Sequence, residues 1–269
     1  MCELFAMSAK YPSTVQLSLE EFSRHGGLSG PHKDGWGIAW YEDRDVSLVK
    51  EASPAARSAC VRFIQGQPFV TTFALSHVRK ATRGAVALRN CQPFVRELGG
   101  AWHSFAHNGD LPGIEADACL QPRDFRPIGE TDSERAFCAL LDRLRPLWLA
   151  DRAPDLQARR RVVEAFAREL RERGPANFLY CDGDALFAHA DRRHHDDGTI
   201  RPPGLWRLTR HCPQGGEVSA AGLHIEAQGG EQNVVLFASV PLTSEGWVPL
   251  ARGEILMARC GLLQPSEGA

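Results

Sequence analysis

An α+β fold of stacked antiparallel sheets covered by helices is what this sequence predicts. Three observations carry that expectation. Short apolar strand patterns fill the first half, two amphipathic helices interrupt them, and strand patterns then return. Strands and helices nowhere alternate in the βαβ manner of a parallel sheet.

In chain order, Cys2–Ala9 reads as an apolar strand in which Glu3 is the sole charge before Lys10. Gly37–Tyr41 and Val46–Lys50 form a hairpin around the polar turn Glu42–Asp45. Pro54 opens a helix to about Gln65, with Val61 and Ile64 marking its apolar face. Phe73–Val78 and Trp102–His107 are strands that run directly into polar motifs. Thr131–Arg145 is a helix whose apolar face holds Phe137, Leu140, Leu141 and Leu144. A second helix, Asp155–Arg173, carries Val162, Val163, Phe166 and Leu170 on one face, and Gly174-Pro175 stops it. The run Arg159–Arg161 reads as the wet face of that helix. Asn177–Cys181, Ala185–His189, Leu205–Thr209, Val234–Ser239 and Glu254–Arg259 complete the strands. Asp191–Pro203, with its adjacent His194 and His195, reads as a solvated loop. No linker or internal repeat divides the chain, so residues 1–269 are expected to form one domain.

Composition removes several functional classes. The 269 residues carry 31 Lys and Arg against 33 Asp and Glu, a net charge of -2, which leaves no basic field for nucleic acid or anionic lipid. No apolar run is long enough to span a membrane and the N-terminus lacks a secretory pattern, so a cytoplasmic location is expected. Eight cysteines at positions 2, 60, 91, 119, 138, 181, 212 and 260 are evenly scattered. A zinc site or a disulfide framework would cluster them, so they read as reduced thiols, and no metal is expected.

Cys2 is the exception. If the preceding Met1 is removed, one residue carries a thiol and a free α-amine, whose pKa of about 7.7–8.0 suits it to act as base for the thiol. Four polar motifs follow at strand or helix ends. Gly30-Pro31-His32-Lys33-Asp34-Gly35-Trp36-Gly37 permits close backbone approach. In Ser76-His77-Val78-Arg79-Lys80-Ala81-Thr82-Arg83-Gly84, Arg79 can present a planar fork to a carboxylate. In Phe105-Ala106-His107-Asn108-Gly109-Asp110, the Asn-Gly pair is a turn signal, yet it also supplies an amide and a backbone N–H suited to an oxyanion hole. In Gly129-Glu130-Thr131-Asp132-Ser133-Glu134, Thr131 and Glu134 read as a capping box, and Asp132 is either a partner of the helix dipole or, facing the site, the holder of a cationic group. A thiol with its own base, an oxyanion pair, an anion clamp and a cation clamp together suit an amino acid with an acyl side chain. Glutamine fits.

These motifs resemble the class II glutamine amidotransferases, and in particular their free-standing YafJ-like subgroup. The resemblance covers essentially the whole chain, in motif order as well as identity. It implies the αββα four-layer sandwich of N-terminal nucleophile hydrolases. It further implies Cys2 as nucleophile, Asn108 and Gly109 as oxyanion hole, Arg79 for the α-carboxylate, Asp132 for the α-ammonium, and Thr82 lining that pocket. No cofactor is implied. Two stretches depart from the family: Pro31–Gly37 replaces the large synthases' Arg-Gly-x-Asp-Ser-Ala-Gly, and Asn90-Cys91-Gln92-Pro93-Phe94 replaces Asn-Thr-His-Pro-Phe. No ammonia-accepting domain follows Asp132, so the expected partners are L-glutamine or a larger γ-glutamyl amide and a separate acceptor subunit. Loops such as Ser23–Lys33 and Asp191–Pro203 would set substrate size. A catalytically silent glutamine-binding protein is the alternative from another class.

Overall fold

The computed structural model describes residues 2–17, 32–66, 69–149, 153–195, 197–213, 217–220, 223–227 and 231–265. Its strands and helices run β1 (Glu3–Leu17), β2 (Trp36–Glu42), β3 (Asp45–Glu51), α1 (Ala59–Gly66), β4 (Phe69–Val78), β5 (Phe94–Leu98), β6 (Ala101–Gly109), α2 (Asp132–Leu144), α3 (Leu156–Arg173), β7 (Ala176–Cys181) and β8 (Leu186–His189). There follow β9 (Arg193–His194), β10 (Ile200–Arg201), β11 (Trp206–Cys212), β12 (Glu217–Ala220), β13 (Leu223–Ala227), β14 (Gln232–Ala238), β15 (Val248–Pro249), β16 (Ile255–Arg259) and β17 (Leu262–Leu263).

Two antiparallel sheets stack. The first has the order β15-β11-β14-β1-β4-β2-β3, with β13 and β12 added beside β1, and the second has β17-β16-β8-β7-β6-β5. Strand alternation explains the layering. On β1, Leu4 and Ala6 join Ala106 of β6 and Leu179 of β7 in the core between the sheets. Phe5, Met7 and Ala9 point the other way, into a core that α1 closes with Val61 and Ile64. On β6, Phe105 turns outward to meet Phe137 and Leu140 of α2 and Phe166 of α3. The result is the expected sandwich, with helices on both outer faces.

Three local expectations are corrected. The helix opened by Pro54 breaks into a single 3-10 turn, Ala55–Arg57, and α1, because Ser58 leaves the helical backbone and caps Val61 through its hydroxyl. Arg159 is not on a wet face: it is 1% exposed and bonds Asp182 and Asp184 at 2.8 and 2.6 Å. It stands four residues before Val163 and seven before Phe166, hence on the buried stripe of α3. The stretch Asp191–Pro203 is not wholly solvated, since Asp191 is fully buried against Arg252 and a β9–β10 hairpin follows. The sequence also leaves β5, β12, β13, β15 and β17 unread. Phe5, Trp36 and Phe94 are all core residues.

Candidate active site

β1 brings Cys2 to one end of the sandwich, where β4 and β6 also finish. Lys80, just past β4, gives its backbone N–H to Cys2 Sγ at 3.3 Å, and its carbonyl lies 3.5 Å from the same sulfur. From the facing sheet, Asn108 Nδ2 donates to the Cys2 carbonyl at 2.5 Å. Ser239 pins the start of β1, accepting from Leu4 N–H and donating to the Leu4 carbonyl, each at 3.0 Å. Cys2 and Asn108 thus meet although 106 positions separate them.

The half-buried Cys2 thiol is pushed up by burial, while the Lys80 N–H and the Arg79 charge pull it down and Asp132 adds to the rise. A thiol held this way is not a ready-made thiolate, and its use as a nucleophile requires a base in the same step. Asn108 is fully buried and its Oδ1 has no hydrogen-bond partner. A buried acceptor left without a donor is rare enough to require an explanation.

Gly109 ends β6 in a place no other residue fits. An added Cβ would lie 1.8 Å from the Pro175 carbonyl oxygen. Upstream, Gln92 brackets the backbone of His107, accepting its N–H at 2.6 Å and donating to its carbonyl at 3.3 Å. The His107 ring meets Ser133 Oγ at 2.9 Å through Nδ1. Burial lowers its pKa against the opposing pull of Asp132 and Asp110, which favours the neutral ring.

Asp132 opens α2 behind its N-cap Thr131, whose hydroxyl accepts the Glu134 N–H at 3.2 Å. The capping box is only half formed. Glu134 turns instead to the Gly129 N–H and to Arg96. Asp132 Oδ2 accepts the Leu111 N–H and Oδ1 the Ser133 N–H, both at 2.8 Å. Its carboxylate is therefore fastened two residues beyond Gly109.

Arg79 is 3% exposed and its guanidinium is wrapped by its own loop and by Asp34, just before β2. Nη1 donates to the carbonyls of Asp34 and Ala85 at 3.4 and 3.1 Å, and Nη2 to those of Arg83 and Gly84 at 2.8 and 3.3 Å. Among the described residues it forms no ion pair. Asp34 ties the same loop down by accepting the Ala81 N–H at 2.8 Å. Thr82 is exposed on this loop and joins none of these bonds.

Lys80, Gln92, Asp34 and Ser239 were not singled out as site residues. Gln92 carried a signal, lying in one of the two stretches that depart from the family pattern. Lys80 acts through its backbone, which leaves no side-chain type to read, and Ser239, which uses its hydroxyl as well as its N–H, stood in the sequence only as the last residue of a strand. The glycines of the first motif behave as read: a Cβ on Gly35 would meet Cys91 Sγ at 2.5 Å, and one on Gly37 the Gln92 carbonyl oxygen at 2.4 Å. Gly30 and Pro31, with most of the Ser23–Lys33 loop, lie outside the described residues.

Comparison with known proteins identifies the family. The family model for class II glutamine amidotransferases matches residues 1–268. YafJ of Escherichia coli, named provisionally as a glutamine amidotransferase, is 36% identical over 261 residues, covering 94% of this chain and 96% of its own. A Haemophilus influenzae protein with a similar provisional name is 33% identical, covering 97% and 85%. The crystal structure of a predicted glutamine amidotransferase from Pseudomonas aeruginosa superposes with a TM-score of 0.69 at 33% identity, covering 98% of this chain and all of that one. The phosphoribosylpyrophosphate amidotransferase of Bacillus subtilis, at 14% identity and a TM-score of 0.59, shares the fold over 48% of its length. On its sequence, its sheets and the matched family model, the chain belongs to the class II glutamine amidotransferases.

Proposed function

We propose that the protein hydrolyses the side-chain amide of L-glutamine through a γ-glutamyl thioester on Cys2, after removal of Met1. The observation that carries this reading is the pairing of Cys2 with Asn108, whose buried Oδ1 lacks a donor. Removal of Met1 would leave an α-amine on Cys2, the residue Asn108 already touches, and that amine supplies N–H donors for the orphaned oxygen. The amine would thereby be oriented beside a thiol that burial keeps protonated.

The chemistry follows in two halves. The α-amine takes the thiol proton as sulfur bonds to the γ-carbonyl carbon, and Asn108 Nδ2 with the Gly109 N–H receives the developing oxyanion. For this, Nδ2 must turn from the Cys2 carbonyl toward the substrate. The C–N bond then breaks, the α-ammonium passes its proton to the departing ammonia, and a thioester remains. Water, deprotonated by the same amine, attacks the thioester and releases glutamate and the free thiol. Asp132 holds the substrate α-ammonium, the uncompensated Arg79 charge attracts its α-carboxylate, and Thr82 lines the pocket between them. Ammonia leaves to water or to a separate acceptor protein, in the cytoplasm.

Glutamate release from L-glutamine by the purified protein, beside Cys2→Ala, tests this, with intact mass recorded on both. Release that vanishes in the variant, from protein lacking Met1, is the expected result. No release from correctly processed protein overturns glutamine as the substrate. Turnover of a larger γ-glutamyl amide under the same conditions would move the assignment to that substrate class.

A further inference from the structure

Resting on the glutaminase reading, we infer that Arg83 is a second substrate-binding cation, which grips the α-carboxylate and so sets specificity for a free amino acid end. Arg79 alone falls short of a carboxylate clamp. A guanidinium has five N–H donors, and a bidentate hold on a carboxylate uses two that point the same way. The four carbonyl bonds of Arg79 take up both hydrogens of each Nη, leaving Nε–H alone. Arg79 as it stands supplies charge and at most one directed bond. A carboxylate held in register needs a further donor.

Arg83 lies on the same loop and differs in each relevant respect. Its side chain is 33% exposed, its Nε donates to Asp110 Oδ1 at 2.8 Å and its Nη1 to Glu115 Oε1 at 3.3 Å. Nη2 takes part in neither bond. The position is what an α-amino acid demands. Ammonium and carboxylate sit on one carbon, so their binding groups must be neighbours. Asp132 is fastened to the backbone of Leu111, and Arg83 to the side chain of Asp110, the residue between Leu111 and Gly109. The loop that carries Arg83 is also the loop whose Lys80 N–H touches the Cys2 sulfur. Asp110 acts as a positioning residue, holding the guanidinium across the gap between the β4 loop and the end of β6.

The test is steady-state kinetics of wild type, Arg83→Ala, Arg83→Lys and Asp110→Asn on L-glutamine and on its α-carboxamide, which lacks the carboxylate. Loss of a charge-assisted bond of this kind corresponds to about 10–100-fold in KM. Arg83→Ala should raise KM for glutamine by that factor with kcat within about 3-fold, the pattern of a lost uniform binding contact. Arg83→Lys should recover part of it, Asp110→Asn should show a smaller rise, and the α-carboxamide should respond to none of them. Unchanged thermal midpoints would exclude misfolding as the cause. An active wild type whose glutamine KM is unmoved by Arg83→Ala overturns the inference alone, as does an equal rise for both substrates. A wild type inactive on glutamine overturns the parent reading and this one with it.

Discussion

Two arginines, at opposite ends of the sandwich, are almost equally buried and have opposite surroundings. Arg159 is 1% exposed and meets Asp182 and Asp184, the second of which also pairs with Arg259. Arg79 is 3% exposed and meets only backbone carbonyls. Burying a charge is expensive unless it is compensated, and carbonyl dipoles soften that cost without cancelling the charge. The Arg159 end is therefore electrostatically closed, even though one donor, Nε, lacks a partner. At the other end the Arg79 guanidinium has no ion pair among the described residues, and it lies in the same region as the Cys2 thiol, an orphaned Asn108 oxygen and a buried His77 with both ring nitrogens unpartnered. Burial alone does not mark a functional ion.

The sharpest way to break this contrast is to remove each cation. Arg159→Ala leaves Asp182 and Asp184 without their shared partner and should cost about 3–5 kcal/mol of stability. Glutamine KM of the folded fraction should stay as in wild type. Chemical denaturation and kinetics on one sample check both halves. Asn108→Ala should act on the chemistry, lowering kcat about 10²–10³-fold with much less effect on KM, as measured by initial rates. Arg79→Met should raise glutamine KM about 10–100-fold, while Arg79→Lys, which keeps the charge but not the fork, should raise it less. A larger KM effect from Arg159→Ala than from Arg79→Met would dissolve the distinction between the two ends.

How much of this was legible in the chain differs between the same two ends. The candidate site is written in contiguous motifs near strand or helix termini, and Cys2, Arg79, Asn108, Gly109 and Asp132 lie at the β1, β4, β6 or α2 boundary, while Thr82 sits out on the exposed loop after β4. The sheet assignment followed from apolar periodicity, which located the cores of ten strands, although β1 runs on to Leu17 and the short or polar strands β5, β9, β10, β12, β13, β15 and β17 escaped it. The Arg159 end was misread because a run of three arginines looks solvated, although its spacing from Val163 and Phe166 placed the first of them on the buried stripe. Contacts made by backbone groups, such as the Lys80 N–H on Cys2, leave no residue type to recognise. β5, with its mixed burial and the charges Arg96 and Glu97, has the weak pattern of an edge strand.

The smallest expected effect concerns pH. Burial, with the nearby Arg79 charge, holds His77 well below its ordinary value, so the native state keeps it neutral where the unfolded chain takes up a proton. Below about pH 6.5 the unfolded state binds more protons and stability falls with acidification, by up to about 1.4 kcal/mol per pH unit for this group; above that pH the contribution vanishes. His77→Phe should make the acid limb of a stability–pH profile shallower. His189, lowered to about 3 by burial and by Arg171, should behave alike on the other sheet. An anion bound beside Arg79 should soften the His77 effect and leave the His189 effect unchanged.

The central claim is that Cys2, freed of Met1, is the nucleophile for a glutamine-shaped substrate. The most direct measurement is intact mass and peptide mapping after incubation with a diazoketone analogue of glutamine, in which an electrophilic carbon replaces the amide nitrogen. The expected product is protein lacking Met1, carrying a single adduct on Cys2, with excess L-glutamine slowing the labelling. Retained Met1 with Cys2 unlabelled, or labelling confined to the exposed Cys119 and Cys260, would contradict it.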